Sequence, residues 1–131
     1  MTAWTETQVT TKLSPRSVAA TVSRLTEILS AKGMHVFAVI DQSEQAREAG
    51  LHLRETVLVI FGNPAAGTPV MDAVPLTALD LPLKILIWAD GSQTNITYYG
   101  PAAIAARYGL SAELTANLAG IDPLTDALVA Q

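Results

Sequence analysis

The sequence predicts a two-layer α+β fold, a largely antiparallel sheet of about five strands with helices on one face. Three observations point to it. Val57-Leu58-Val59-Ile60-Phe61 and Leu83-Lys84-Ile85-Leu86-Ile87-Trp88-Ala89 are apolar runs of strand length. The second run leads straight into Asp90-Gly91-Ser92, a hairpin turn signal, so the strand that follows at Thr94–Tyr99 must return antiparallel. Helical spacing of apolar residues occurs in one early stretch and again throughout the C-terminal tail.

Taken in order, residues 3–11 (AWTETQVTT) alternate in character and are rich in Thr, as in a first strand. Ser14 then offers an N-cap oxygen and Pro15 a preset first helical residue; Val18, Val22, Leu25, Ile28 and Leu29 recur at helical spacing until Gly33, predicting a helix over Pro15–Lys32. His35–Ile40 (HVFAVI) reads as a buried strand, and Ser43–Ala49 as a short helix or turn closed by Gly50. Leu51–Arg54 leads into the strand ending at Phe61. Beyond the loop GNPAAGTP, Pro69–Val74 and Pro75–Asp80 read as two short helical turns. The tail predicts helices over Pro101–Tyr108, Ser111–Ala119 and Asp122–Ala130, with Gly109 and Gly120 as stops.

Length and composition set limits on function. A chain of 131 residues fits one domain, residues 1–131, and can bury a core without staples. A formal charge of −4, with eight Lys and Arg spread singly, leaves no basic stripe for nucleic acid. Cysteine is absent, which removes disulfides, thiol nucleophiles and Cys-ligated metals. The two histidines, His35 and His52, fall in no metal-ligand spacing, so neither a metal nor a cofactor is expected. No apolar run approaches the ~20 residues of a membrane span, and the N-terminus lacks a signal-peptide pattern, so the expected location is cytoplasmic.

Among candidate sites the loop GNPAAGTP comes first. Gly62 and Gly67 have the spacing of a phosphate-cradling loop, but Thr68 stands where that mechanism needs Lys and Pro69 where it needs a hydroxyl. What remains is Thr68 as an N-cap with Pro69 at the first helical position, a structural corner or a helix start offering N–H groups to an anion. Asp41 and Lys84 lie at strand ends and form either a solvated ion pair or an acid–base pair. Trp88 and Tyr98 are either cross-strand partners or the walls of a pocket.

Residues 36–90 together with TYYGPAAIAARYGL, and in particular GNP, GTP, DLPLK and W-x-D, closely resemble the family called domain of unknown function 302. The resemblance implies a compact α+β domain similar to one repeat of the TATA-binding-protein-like architecture, occurring as a homodimer, with no established activity. Two positions depart from the family pattern. Gln42 and Tyr108 stand where relatives usually carry His. If strands are apolar on both faces, one sheet face needs a cover, and a second copy is the simplest.

The expectation is therefore a homodimer that binds a small polar or anionic ligand without catalysis, through Asp41, Asn63, Gly67, Thr68, Lys84 and Tyr98. The alternatives are a hydrolase or isomerase using Asp41 and Lys84, or a purely structural self-association domain. Nucleic acid and membrane are not expected partners.

Overall fold

The computed structural model describes residues 9–131. Residues 1–8, which carry most of the expected first strand, lie outside the described residues. The first strand described is β1, Thr10–Ser14, followed by α1 (Val18–Ala31), β2 (His35–Asp41), α2 (Gln42–Glu48) and β3 (Thr56–Gly62). Then come α3 (Pro64–Ala73), a 3-10 turn (Pro75–Leu79), β4 (Leu83–Asp90), β5 (Gln93–Tyr98), α4 (Pro101–Tyr108), α5 (Ala112–Ala116) and α6 (Ile121–Val129).

The five strands form one sheet in the order β1-β5-β4-β3-β2, every neighbouring pair antiparallel. β1 and β2 therefore run parallel at opposite edges, and α1 carries the chain across one face between them. Asp90 pairs with Gln93, which leaves Gly91-Ser92 as a two-residue hairpin loop with Gly91 at φ 61. A positive φ there matches the twist of the two strands and favours glycine.

Register divides the strands between two faces. Val57, Val59 and Phe61 of β3 and Ile85, Ile87 and Ile96 of β4 and β5 turn toward the helices and are fully or nearly buried. They meet Leu25, Ile28 and Leu29 of α1 and Ile121, Leu124 and Leu128 of α6 in one core cluster. Burying a side chain of this size stabilises by about 1.5–3 kcal/mol, so this layer dominates the fold. A second cluster, Val70, Leu81, Ile104 and Leu118, packs α3, α4 and the segment after α5 beside it.

α1 begins later than expected. Ser14 belongs to β1, where its hydroxyl bonds Thr21 Oγ1 at 2.7 Å and accepts from the Arg16 N–H. The N-cap is Ser17, which accepts from the Ala20 N–H at 3.1 Å. Two Ser residues three apart offer the same cap, and pairing of Ser14 with Thr94 in the sheet claims the first of them.

α6 is tied to β1 through polar groups. Lys12 Nζ donates to Thr125 Oγ1 at 2.6 Å, Asp126 Oδ1 at 2.8 Å and the Asp122 carbonyl at 3.2 Å, using all three of its donors. Tyr98, nearly buried, donates to Asp122 Oδ1 at 2.6 Å. Burial pushes the Lys12 ammonium down, but the hydrogen bond to Asp126 and the neighbouring Tyr98 outweigh it and its pKa ends up raised. Burial and the bond to Asp122 raise that of Tyr98. Arg16 reaches the far end of the same helix and donates to the carbonyls of Leu128 and Ala130, which lack helical partners.

Candidate functional site

β3 ends at Gly62, and the next residues explain what GNPAAGTP is. Asn63 has extended backbone and its side chain accepts from the Ala65 N–H at 3.0 Å, while Pro64 occupies the first helical position. The helix thus begins five residues before the expected start. Thr68 and Pro69 lie inside α3, not at its N-terminus. Asn63-Pro64 and Thr68-Pro69 are equivalent start signals in sequence; the strand's end beside Asn63 selects the first.

The early start changes what this corner can bind. Pro64 has no N–H, the Ala65 N–H is held by the Asn63 side chain, and those of Ala66 and Gly67 both donate to the Asn63 carbonyl at 2.9 Å. The helix start is thus already satisfied from within, and the expected N–H groups for an anion are engaged. Beside it lies a cleft of about 300 Å³ whose walls are mainly apolar. Phe37, Met71, Leu118 and Ile121 line it together with Gly67 and Thr68. The cleft is the seam between the two core clusters, since Ile121 belongs to one and Leu118 to the other.

Several local features shape this seam. β2 carries a register shift between Val36 and Ala38, and Phe37 is the extra residue, with its ring edge-on to His35 at 4.4 Å between centroids. A bulge of this kind re-aims one side chain. A Cβ built on Gly62 would meet Phe37 at 3.7 Å and Pro82 at 3.5 Å. Across the opening, Asn117 Nδ2 donates to the Ala66 carbonyl at 3.1 Å and ties the end of α5 to α3.

The other expected site residues lie elsewhere. Asp41 caps α2, accepting from the Ser43 hydroxyl at 2.6 Å and the Glu44 N–H at 2.9 Å, bonds that hold its carboxyl below the usual range. Asp41 pairs with Val57 on the helix-facing side, whereas Lys84 pairs with Ile60 on the opposite face. Three register positions and two strands separate them, about 14 Å between backbones. They share no cleft, and no acid–base pair forms. Tyr98 borders a different cleft and spends its hydroxyl on Asp122. Trp88 is paired with Asn95 and donates to Thr97 Oγ1 at 3.0 Å, on the face away from Tyr98.

That other face carries features that no spacing in the sequence announced. Asp80 Oδ2 accepts from Tyr108 at 2.6 Å and from Arg107 at 2.8 Å, and Arg107 lies 5.2 Å from the centroid of the Tyr99 ring. Burial pushes the Asp80 carboxyl up, but Tyr108, Arg107 and the charge of Lys84 more than offset it, leaving the pKa below the usual value. Among the described residues no three His, Asp or Glu side chains converge as a metal site. No helix among them is long and apolar enough to cross a membrane.

Sheet order, helix layer and seam together define a two-layer antiparallel α+β domain. The chain belongs to the family described as domain of unknown function DUF302, whose model matches residues 9–128. It is similar in fold to the crystal structure of an uncharacterized conserved protein DUF302 from Bacillus stearothermophilus. That likeness has a TM-score of 0.79 at 22% identity and covers 93% of this chain and 95% of that one. It is also 43% identical over 98 residues to "Fluoride-specific ion channel FluC 1" of Brucella suis biovar 1 (strain 1330), covering 74% of this chain and 39% of that protein. The namesake of Brucella abortus biovar 1 (strain 9-941) matches equally, over 36% of its length. The chain thus spans about two fifths of the length of these curated relatives.

Proposed function

We propose that this chain is a non-enzymatic binding module whose cleft beside α3 takes a small, largely apolar molecule with a polar end. Gly67 is the observation that carries the reading. It sits in the interior of α3, where glycine costs about 1 kcal/mol relative to alanine. Its φ is not positive and a Cβ there would meet only the flexible end of Met71 at 3.8 Å, so the backbone does not demand it. What its missing side chain leaves is space in the cleft. Phe37, Met71 and Ile121 supply apolar surface, and Asn63, Thr68 and Asn117 supply the few polar groups that orient a ligand. At about 300 Å³ the cleft suits a small ligand.

This reading keeps Asn63, Gly67 and Thr68 at the site and replaces an anion by a mainly apolar ligand, because the N–H groups at the helix start are engaged. An apolar lining is not suited to a bare fluoride ion, the ligand for which the Brucella relatives are named. The cytoplasmic location expected from the sequence belongs to the same proposal. A fragment library screened by amide NMR tests it. Saturable shifts at Phe37, Gly67 and Ile121 that vanish in Gly67→Leu are expected; a library with no such hit would overturn the reading.

A second reading, self-association, is favoured by the face of the sheet opposite the helices. Ile40, Leu58, Ile60, Leu86 and Trp88 are only half-buried there, and Leu13 is 57% exposed. Five strands of about six residues span a face of about 480 Å², so two copies would bury roughly 1,000 Å², the lower bound for a specific interface. Lys84 is the one charged residue among the positions paired across the middle of this face. A face so poor in charge offers little to repel its own copy, which makes a second copy of the chain the fitting occupant.

A further inference from the structure

We propose that a second cleft, at the corner of the open sheet face beside α4, binds a small monoanion with a hydrocarbon body, such as a short-chain carboxylate, with Lys84 as its charge partner. This cleft of about 260 Å³ lies on the open side of the sheet and shares only Leu83 with the one beside α3. Its walls are Leu58, Leu86 and Ile104, and its polar groups come from Lys84, Asp80 and Tyr99.

Lys84 stands near the start of β4, paired with Ile60 of β3 on one side, while the β4–β5 ladder begins two residues on at Leu86. Its neighbours on the same face are Ile60 across the ladder and Leu86 along the strand. An ammonium among apolar side chains is stabilised by a counter-charge. Among the described residues it makes no ion pair. The nearby carboxylate of Asp80 is already occupied by Arg107 and Tyr108. Lys84 is felt by Asp80 as a charge without reaching ion-pair distance.

Lys84, Arg107 and Asp80 sum locally to one positive charge, on a chain whose formal charge is −4. One uncommitted point charge matches a monoanion; a phosphate dianion would call for a second cation, and Arg107 is spent on Asp80. The hydrocarbon walls match a short aliphatic tail, and the volume sets its size. Leu58 and Leu86 belong both to this cleft and to the self-associating face, so a ligand here and a second copy of the chain compete for them.

The competing account is a lysine whose stem covers apolar surface while its head stays in water. Titration of the labelled full chain with hexanoate and, separately, with hexanamide distinguishes the two. Binding at Lys84 predicts saturable amide shifts at Lys84, Leu86 and Tyr99, with the amide binding about tenfold more weakly than the acid because it lacks the charge. Lys84→Met and Lys84→Gln are expected to abolish the difference between acid and amide while keeping a dispersed, folded spectrum. Equal binding of acid and amide by the wild-type chain, or hexanoate shifts absent from Lys84 and Leu86, would overturn the proposal. Shifts confined to Phe37 and Gly67 would also overturn it, in favour of the cleft beside α3.

Discussion

The hydroxyl of Tyr108 donates to Oδ2 of Asp80 at 2.6 Å, across 28 positions of sequence, and so joins the last turn of α4 to the residue that ends the 3-10 turn. Arg107 grips the same oxygen. Two partners on one carboxylate hold the rim of the second cleft in place, which gives Tyr108 a structural role.

Replacing Asp80 by Asn should lower stability by about 1 kcal/mol at neutral pH, the net worth of hydrogen bonds to a partly exposed charge. Because the folded carboxyl titrates below its ordinary value, its contribution is complete above the ordinary carboxylate range and is lost as pH falls through the folded pKa. Urea unfolding of both proteins should therefore differ at neutral pH and converge in acid. A gap that persists in acid would contradict the ion-pair account.

Lys12 and Tyr98 predict the opposite limb. Both pKa values are raised in the folded chain, so the stability they contribute is present below the unfolded values and lost as pH rises through the folded ones. The wild type should lose stability in alkali, and Lys12→Met should lose less over the same range while starting about 1–2 kcal/mol lower. Unfolding midpoints measured on both sides of pH 10 give the comparison.

Gly67→Ala separates folding from binding. The substitution should raise stability by up to about 1 kcal/mol, seen as a higher thermal midpoint, because alanine favours the helix and nothing rigid opposes its Cβ. Ligands of the cleft beside α3 should bind more weakly to the same variant. A lower midpoint would mean that Gly67 serves the backbone after all.

The open face predicts concentration-dependent association. Sedimentation should find a dimer at micromolar wild type, and Leu13→Glu combined with Ile40→Glu should leave a monomer of unchanged fold. These positions suit the test because one is exposed and the other half-buried. A wild type that is monomeric throughout would remove the self-association reading.

Local signals located most elements of the fold. The turn Asp90-Gly91-Ser92 dictated the β4–β5 hairpin because a two-residue connection admits only antiparallel strands. Gly109, at φ 64, ends α4 where the sequence predicts, since a left-handed C-cap favours glycine. Where two signals compete, neighbouring residues cannot choose between them. Ser14 against Ser17, and Asn63 against Thr68, were decided by how far β1 and β3 stay paired in the sheet.

The sequence by itself determined the class of fold, the apolar character of both sheet faces and the family, because periodicity and turn chemistry act over a few residues. Of the expected site residues, Asn63, Gly67 and Thr68 meet at one cleft, for they share one strand-to-helix corner. Strand register, which sends alternate residues to opposite faces, parted Asp41 from Lys84, while Lys84 and Tyr98 both border the second cleft. Phe37, Leu118 and Ile121, and the contact between Asp80 and Tyr108, could only be decided by tertiary structure. They are ordinary apolar residues or distant polar ones, and packing of two clusters against one sheet is what brings them together.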